Sequence, residues 1–199
     1  MGGPGAAEVE EDATYLQLRD FTPVIVHRTR PRDRGEVLRF VRQLTADSIE
    51  LRYGSPMREE TVAEELLGLG TPDPRVSLVM ETVTSAPRVV GTAEFVRYRH
   101  EPCRAEVAFL IEDDFQGRGA ATVLLYELAR RARADGIRWF TAFVLRENVA
   151  MCDVFVHSGF PYRVVRDGPQ WIVELDIGAS IREYDREIPS RTGPPVAPS

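Results

Sequence analysis

Apolar residues recur at helical spacing in four stretches of the chain. In the clearest one, Ala121, Leu124, Leu125 and Leu128 stand at positions i, i+3, i+4 and i+7, which predicts a helix with one apolar face. Gly136 ends this pattern. The other three predicted helices cover Val37 to Leu44, the segment MREETVAEELLGLG with Gly68 and Gly70 at its end, and the segment ENVAMCDVFVHSGF up to Gly159.

Runs of apolar and β-branched residues predict strands between these helices. They cover Val24 to Arg28, Val76 to Thr82, Arg88 to Tyr98, Ala105 to Ile111, Arg138 to Leu145, Tyr162 to Val165 and Trp171 to Asp176. Short polar turns join the second, third and fourth strands, which favours an antiparallel meander. A helix separates residues 105–111 from residues 138–145, which favours a parallel pair. The pattern therefore predicts an α+β fold, with a mixed sheet of six to seven strands and about four flanking helices.

The two ends of the chain differ in composition from its middle. Residues 1–20 are rich in Gly, Ala and acids, and residues 178–199 are rich in Pro and Ser, so we expect both segments to be mobile. We expect one folded domain over residues 21–177, since a chain of 199 residues is long enough to bury a sizeable core as a single domain.

Composition narrows the classes of function. A net charge of -6 opposes nucleic-acid binding. No apolar stretch is long enough to span a membrane and the first residues are acidic, so we expect a cytoplasmic protein without a membrane partner. All 25 basic residues are arginine, which excludes a Schiff-base or P-loop lysine. The two cysteines and three histidines are scattered, and no metal site is predicted.

The segment QGRGAA, residues 116–121, interrupts an apolar strand and opens the longest helix. Free backbone N–H groups and the positive end of a helix dipole meet at such a turn, which predicts an anion site suited to phosphate. Gly117 and Gly119 would let the backbone approach a ligand, and Arg118 could add a charged contact; the alternative is a tight turn that needs glycine. A dinucleotide fingerprint needs a glycine at Thr122 and a Walker A loop needs lysine, so both fit poorly.

QGRGAA resembles the Q/R-x-x-G-x-G/A pyrophosphate loop of the GCN5-related N-acetyltransferase (GNAT) superfamily, and Asn148 is similar to that family's second cofactor element. Residues 44–53 and 105–137 resemble the bacterial protein-lysine acetyltransferases of the Pat type. The resemblance implies the GNAT fold with splayed parallel central strands, acetyl-CoA as cosubstrate and an amine acceptor. A protein lysine is the favoured acceptor, and a small amine is the alternative acceptor. The alternative function is a non-catalytic acyl-CoA sensor, and the oligomeric state is open.

The resemblance also assigns cofactor roles to residues of this chain. Backbone groups of residues 109–111 would pair with the pantetheine arm, where a bulge splays the strand, and N–H groups of residues 117–122 would hold the pyrophosphate. Asn148 would bond the pantetheine amide, cap a helix, or do both. Phe155 stands where many members have a tyrosine that protonates the departing thiolate. The cofactor-binding residues so implied are Phe109, Leu110, Ile111, Gln116, Gly117, Arg118, Gly119, Ala120, Ala121, Thr122, Asn148 and Phe155.

Glu106 is the predicted general base. It lies an even number of residues from Leu110, so both side chains share one face of the strand, and burial of an acid among apolar neighbours would raise its pKa. It also falls where the Pat-type enzymes place a catalytic glutamate. The alternatives are an exposed strand position or a salt bridge with Arg97 or Arg99, and Glu94 is the fallback base. The acids Glu101, Glu112, Asp113 and Asp114, expected near the cleft, would favour a cationic acceptor.

Overall fold

The computed structural model describes residues 12–68 and 75–179, in which the chain forms eight strands and five helices. The strands are β1 (Thr14–Gln17), β2 (Pro23–Arg28), β3 (Arg75–Thr82), β4 (Val89–Arg97), β5 (Arg104–Ile111), β6 (Trp139–Leu145), β7 (Tyr162–Asp167) and β8 (Gln170–Asp176). The helices are α1 (Arg34–Gln43), α2 (Ala46–Tyr53), α3 (Glu59–Leu66), α4 (Ala120–Ala134) and α5 (Val149–Val156). The predicted α+β class is confirmed, with more strands and helices than the six to seven and four expected.

All eight strands belong to one mixed sheet, in the order β1-β2-β3-β4-β5-β6-β8-β7. Strands β3, β4 and β5 form the predicted antiparallel meander. Strands β5 and β6 are parallel neighbours, as predicted, and α4 connects them. None of the helices in the described ranges is both long and apolar enough to cross a membrane.

Strand β1 lies inside the segment 1–20 that was expected to be mobile. It pairs with β2 from Thr14↔Val26 to Gln17↔Pro23. Side chains near it fasten the segment to α4: Thr14 donates a hydrogen bond to Glu127 (2.9 Å), and Arg131 forms an ion pair with Asp12. The sequence pattern did not predict this strand because its four residues, TYLQ, do not alternate between apolar and polar. Residues 1–11 and 180–199 lie outside the described part of the chain, as does Gly70.

Helix α2 was also absent from the predicted elements. Of its eight residues only Ser48 and Ile49 are buried, so the sequence shows no apolar stripe. Its ends are nevertheless well defined: the Thr45 side chain accepts a hydrogen bond from the Ser48 N–H (3.2 Å), and Gly54 closes the helix in the left-handed conformation, φ 70°.

The two faces of the sheet carry separate hydrophobic clusters. Helices α4 and α5 cover one face, where Leu124 and Leu128 of α4 belong to the same buried cluster as Phe95 and Phe140 of the sheet. Helices α1 and α3 cover part of the other face, where Phe40 is fully buried. This second face is incompletely covered. Phe143 of β6, which shares this face with Thr141, is 44% exposed.

The central strands diverge. Parallel pairing between β5 and β6 covers only Arg104↔Trp139 through Glu106↔Thr141. Beyond Glu106, β5 continues to pair with β4 as far as Ile111↔Gly91, whereas its other edge faces a gap. The splayed strands are therefore confirmed. The bulge expected in β5 lies elsewhere, because pairing of β5 with β4 is continuous and the register shift falls between β3 and β4, after Met80↔Gly91.

Candidate active site

A cleft of about 760 Å³ occupies the gap between β5 and β6. It is lined by α2, the second half of β5, the loop that opens α4, the end of β6 and the start of α5. The predicted site residues that line it are Glu106, Phe109, Leu110, Ile111, Gln116, Gly117, Gly119, Ala120, Ala121, Thr122, Asn148 and Phe155. The fold thus brings together residues that are up to 49 positions apart in sequence, from 106 to 155.

The floor of the cleft is the unpaired edge of β5. Residues 109–111 pair with β4 on one side only. On the other side the Ile111 carbonyl accepts a hydrogen bond from the Gln116 side chain (3.3 Å), and the remaining backbone groups of this edge can pair with an extended ligand. A pantetheine arm carries two amides and can occupy such an edge as a strand would.

The loop before α4 has the geometry of an anion site. Gly117 and Gly119 adopt φ 70° and 89°, a left-handed conformation in which a side chain is strained. Gly119 is the N-cap of α4, with no side-chain cap. The N–H groups of residues 120–122 precede the first backbone bond of the helix, which Val123 donates to Gly119 (3.0 Å), so they remain available to phosphate oxygens.

Gln116 and Asp113 connect this loop to α2. The Gln116 side-chain amide donates to Asp113 (3.2 Å) and Ser48 (3.3 Å). Asp113 also accepts hydrogen bonds from the Thr45 backbone (3.1 Å) and from the Ser48 hydroxyl (2.9 Å). The first turn of α2 is thereby held against the predicted pyrophosphate loop.

Arg118 does not line the cleft, unlike the glycines on either side of it. Its guanidinium bonds Asp20 (Nε–Oδ2 2.6 Å) and the Thr22 hydroxyl (2.6 Å), and it stacks over the ring of Phe115, 4.3 Å from the centroid. Its carbonyl accepts a hydrogen bond from the Arg19 N–H (3.0 Å). Arg118 therefore fastens the β1–β2 turn to the loop instead of pointing at the cleft.

Asn148 caps helix α5. Its side-chain Oδ1 accepts a hydrogen bond from the Met151 N–H (3.1 Å), which is the capping role considered from the sequence. The same side chain lines the cleft, and its amide nitrogen makes no hydrogen bond with a described residue. That N–H group remains available to a carbonyl of a bound ligand.

Phe155 packs edge to face against Phe109, with ring centroids 5.8 Å apart. It is 1% exposed and forms part of the buried wall of the cleft. A phenyl ring has no ionisable proton, so Phe155 cannot protonate a leaving group. His157 lines the same cleft, exposed, with Nδ1 3.0 Å from the Asp153 carbonyl oxygen.

Glu106 stands where β5 and β6 begin to diverge, on the same face of the sheet as Leu110. Its side chain is exposed to the cleft and makes no hydrogen bond or ion pair with a described residue. The partial burial of this carboxyl raises its pKa above the usual range; the Arg52 guanidinium opposes the rise and the Glu94 carboxylate adds to it. The alternative ion pair with Arg97 is absent, because Arg97 donates to the Asp135 carbonyl (2.6 Å).

Glu94, the fallback base, is buried and fully engaged. It pairs with Arg52 (Nη2–Oε1 2.7 Å) and with Arg75. Arg75 also donates to the Glu65 carbonyl (2.7 Å), and Arg52 lies 3.7 Å from the Glu65 carboxylate. Because both oxygens of this carboxylate are engaged by guanidinium groups, these contacts favour Glu106 over Glu94 as the group free to reach an acceptor amine.

The acids that were expected to attract a cationic acceptor do not line the cleft. Glu112 is buried and paired with Arg88 (2.5 Å), and Asp113 accepts hydrogen bonds from Thr45 and Ser48 at the start of α2. Glu101 pairs with Arg104 (3.2 Å), and Asp114 is exposed outside the cleft. The acids that do line it are Glu106 and Asp153.

Several residues of the cleft were not predicted from the sequence, among them the polar residues Arg19, Ser48 and Arg52. Ser48 and Arg52 lie on α2, within residues 44–53 that had signalled the Pat resemblance. No local pattern marks Arg19, since its position depends on the pairing of β1 with β2.

A splayed mixed sheet with a Gly-rich loop at its central crossover is consistent with an acyltransferase. The model of the Acetyltransferase (GNAT) family matches residues 39–160, which is more than half of the chain. The chain therefore belongs to the GNAT acetyltransferase family, whose members use acetyl-CoA and an amine acceptor.

Several known proteins are similar to this chain. Acetyltransferase Pat of Mycolicibacterium smegmatis is 37% identical over 97 residues, covering 49% of this chain and 26% of the relative. An acetyltransferase of Pseudomonas aeruginosa is 26% identical over 156 residues, covering 77% of this chain and 83% of the relative. The chain thus spans only about a quarter of the Pat protein.

Solved structures agree with the family. The GNAT domain of S. lividans PAT superposes with a TM-score of 0.72 at 28% identity, covering 82% of this chain and 96% of that one. A cAMP-binding acyltransferase from Mycobacterium smegmatis superposes with a TM-score of 0.57 at 26% identity, covering 83% of this chain but 47% of its own.

Proposed function

We propose that this protein transfers the acetyl group of acetyl-CoA to a lysine side chain of another protein, with Glu106 as the general base. The observation that carries the proposal is the position of Glu106. It forms the last parallel pair, with Thr141, before the strands diverge, and its carboxylate faces the cleft with no hydrogen-bond or ion-pair partner among the described residues.

The direction of the bound cosubstrate follows from the cleft. With the pyrophosphate on the N–H groups of residues 117–122, the pantetheine arm runs back along β5 from Ile111 to Phe109. Its thioester then reaches the closed end of the gap, beside Glu106. An N–H near Leu110 would bond the thioester oxygen and stabilise the oxyanion that forms on attack, an effect typically worth about 2.7 to 4 kcal/mol per donor.

The reaction needs a neutral amine. Lysine arrives as an ammonium ion, with a pKa of about 10.4 in water, and Glu106 takes the proton so that the nitrogen can attack the thioester carbon. The C–N bond forms, the C–S bond breaks, and the electron pair leaves with the CoA sulfur. Since Phe155 offers no proton, the thiolate is protonated by water or by the ammonium intermediate; a thiol pKa of about 8.5 makes it a tolerable leaving group.

The surroundings of Glu106 support a protein acceptor. Val96, paired with Glu106 in register, is 38% exposed, and Phe143 on the neighbouring strand is 44% exposed. These apolar side chains lie on the open face of the sheet, where a protein surface can cover them. The resemblance to Pat-type enzymes points in the same direction. A small amine remains the competing acceptor.

The test measures acetyl transfer by the purified protein from acetyl-CoA to two classes of acceptor. Lysine peptides with blocked α-amines represent proteins, and free lysine and ethanolamine represent small amines. Because the chain contains no lysine, every acetyl-lysine detected by mass spectrometry belongs to the acceptor. We expect Glu106→Gln to reduce kcat by about a hundredfold or more while acetyl-CoA binds within about twofold of the parent.

The matched control is Glu50→Gln, which removes an exposed acid on α2 that does not line the cleft and should leave kcat nearly unchanged. Full activity of Glu106→Gln would remove this residue from the mechanism. Transfer to small amines but to none of the peptides would overturn the protein acceptor. Tight acetyl-CoA binding without transfer to any amine would favour an acyl-CoA sensor.

A further inference from the structure

The turn between β1 and β2 reaches the predicted pyrophosphate loop. Residues 18–22 form this turn, closed by hydrogen bonds from Leu18 N–H to Thr22 (2.9 Å) and from Phe21 N–H to Leu18 (3.0 Å). The Arg118 guanidinium and carbonyl bond three of its residues, as described above. The turn is therefore fixed against the loop by side-chain and backbone bonds.

Arg19 is the residue that this arrangement places over the loop. A Cβ atom built on Gly119 would lie 3.0 Å from Arg19 Cγ, 3.4 Å from Cδ and 3.5 Å from Nε. The side chain therefore extends across the space above Gly119, and it lines the cleft together with Gly117 and Ala120.

Two arginines line the cleft among the described residues, and they differ in their partners. Arg52 is paired with Glu94 and Glu65. Arg19 is exposed and forms no ion pair or side-chain hydrogen bond with a described residue. An unpaired guanidinium beside free backbone N–H groups is the arrangement that binds a phosphate ester, because it adds charge and directed donors to the helix dipole.

We infer that Arg19 is the side-chain cation that binds the pyrophosphate of acetyl-CoA, and that Arg118 positions it through the β1–β2 turn. This rests on the proposed function only in requiring that the cleft binds acetyl-CoA. Arg118, within the Gly-rich loop, thus acts indirectly, and the charged contact comes from Arg19 in the β1–β2 turn, about 100 residues earlier in the sequence.

The test is a direct binding measurement with CoA and with dephospho-CoA, which lacks the 3′-phosphate, by calorimetry. We expect Arg19→Ala to weaken binding of both ligands about tenfold and to reduce the dependence of the dissociation constant on salt. Arg19→Lys keeps the positive charge but not the forked donors of the guanidinium, so it should lose less affinity than Arg19→Ala. The control Arg58→Ala removes an exposed arginine outside the cleft and should bind like the parent.

Binding by Arg19→Ala within twofold of the parent overturns the inference while leaving the proposed acetyltransferase intact. A loss seen with CoA but not with dephospho-CoA also overturns it, since Arg19 would then bind the 3′-phosphate. Failure of the parent protein to bind CoA overturns both proposals. A parent that binds CoA but acetylates no amine overturns the proposed function alone.

Discussion

Phe155 packs edge to face against Phe109, with ring centroids 5.8 Å apart. This contact joins α5 to β5 at the point where the two central strands have separated. The position that many relatives use for a proton donor is here part of the hydrophobic core, and the two rings together shape the wall along which pantetheine would lie.

Phe155→Ala should lower the free energy of unfolding by about 3 to 5 kcal/mol, because truncation of a buried ring removes its contacts and leaves a cavity. Urea denaturation measures the change. Phe143→Ala is the matched control: that ring is 44% exposed, so its loss should cost under about 1 kcal/mol. Equal losses in the two variants would contradict the packing described for Phe155.

The pH dependence of transfer should report the ionisation of Glu106. Its pKa is raised, chiefly by burial, above the ordinary value of 4.5, and a general base works only when it is deprotonated. The value of kcat/KM should therefore fall as pH decreases through this raised pKa. The acidic limb should vanish from the residual activity of Glu106→Gln. An unchanged acidic limb in that variant would assign it to another group.

Glu94→Gln should destabilise the fold by roughly 3 kcal/mol, since it leaves the guanidinium groups of Arg52 and Arg75 without their shared carboxylate. Chemical denaturation measures the loss. Glu64→Gln provides the comparison, because its ion pair with Arg34 (3.1 Å) is exposed and should contribute less than about 1 kcal/mol. A stable but inactive Glu94→Gln would instead make Glu94 a candidate base.

His27 should make stability depend on pH near neutrality. Burial, the largest single effect, lowers its pKa, but the Glu81 carboxylate, the Arg28 carbonyl and the Asp33 carboxylate together outweigh burial and raise the pKa above 6.5. The stabilising contribution of the pair is then complete below about 6.5 and lost as pH rises through the raised pKa. The free energy of unfolding should decline over that interval in the parent, and this decline should be absent in His27→Gln. An NMR titration of His27 with a midpoint below 6.5 would refute the prediction.

Gly119→Ala should destabilise the protein more than Gly117→Ala. Both residues have positive φ, 89° and 70°, so each alanine costs about 1 kcal/mol in backbone strain. A Cβ at Gly117 meets nothing within 4 Å, whereas one at Gly119 would lie 3.0 Å from Arg19 Cγ, so that side chain must shift by a few tenths of an ångström. Thermal unfolding of the two variants measures the difference. Equal melting temperatures would mean that Arg19 does not rest on the loop.

Much of the fold could be predicted from the sequence because its central elements have strong local patterns. The apolar stripe of α4 predicts a helix, and the β-branched runs of β3 to β6 predict strands. The length of α4 implies the parallel crossover between β5 and β6. The motif QGRGAA places the loop, and strand alternation places Glu106 and Leu110 on one face. These features depend only on residues that are close in sequence.

The remaining features depend on contacts between distant residues. Strand β1 exists because β2 offers an edge and because Asp12 and Thr14 bind α4, and TYLQ carries no sign of either. Arg118 was expected at the cleft, since nothing in QGRGAA reveals that Asp20 and Thr22 would hold it. The acids Glu112 and Asp113 were expected to face an acceptor for the same reason: their partners, Arg88 and Thr45, come from other elements.

The gap between β5 and β6 leaves the centre of the sheet open until a ligand fills it. A ligand that binds only the folded chain stabilises it by about 2.7 kcal/mol at a hundredfold excess over its dissociation constant. Resistance of this protein to proteolysis would then rise with the concentration of acetyl-CoA. The lifetime of the folded chain under protease attack would then follow the occupancy of this cleft.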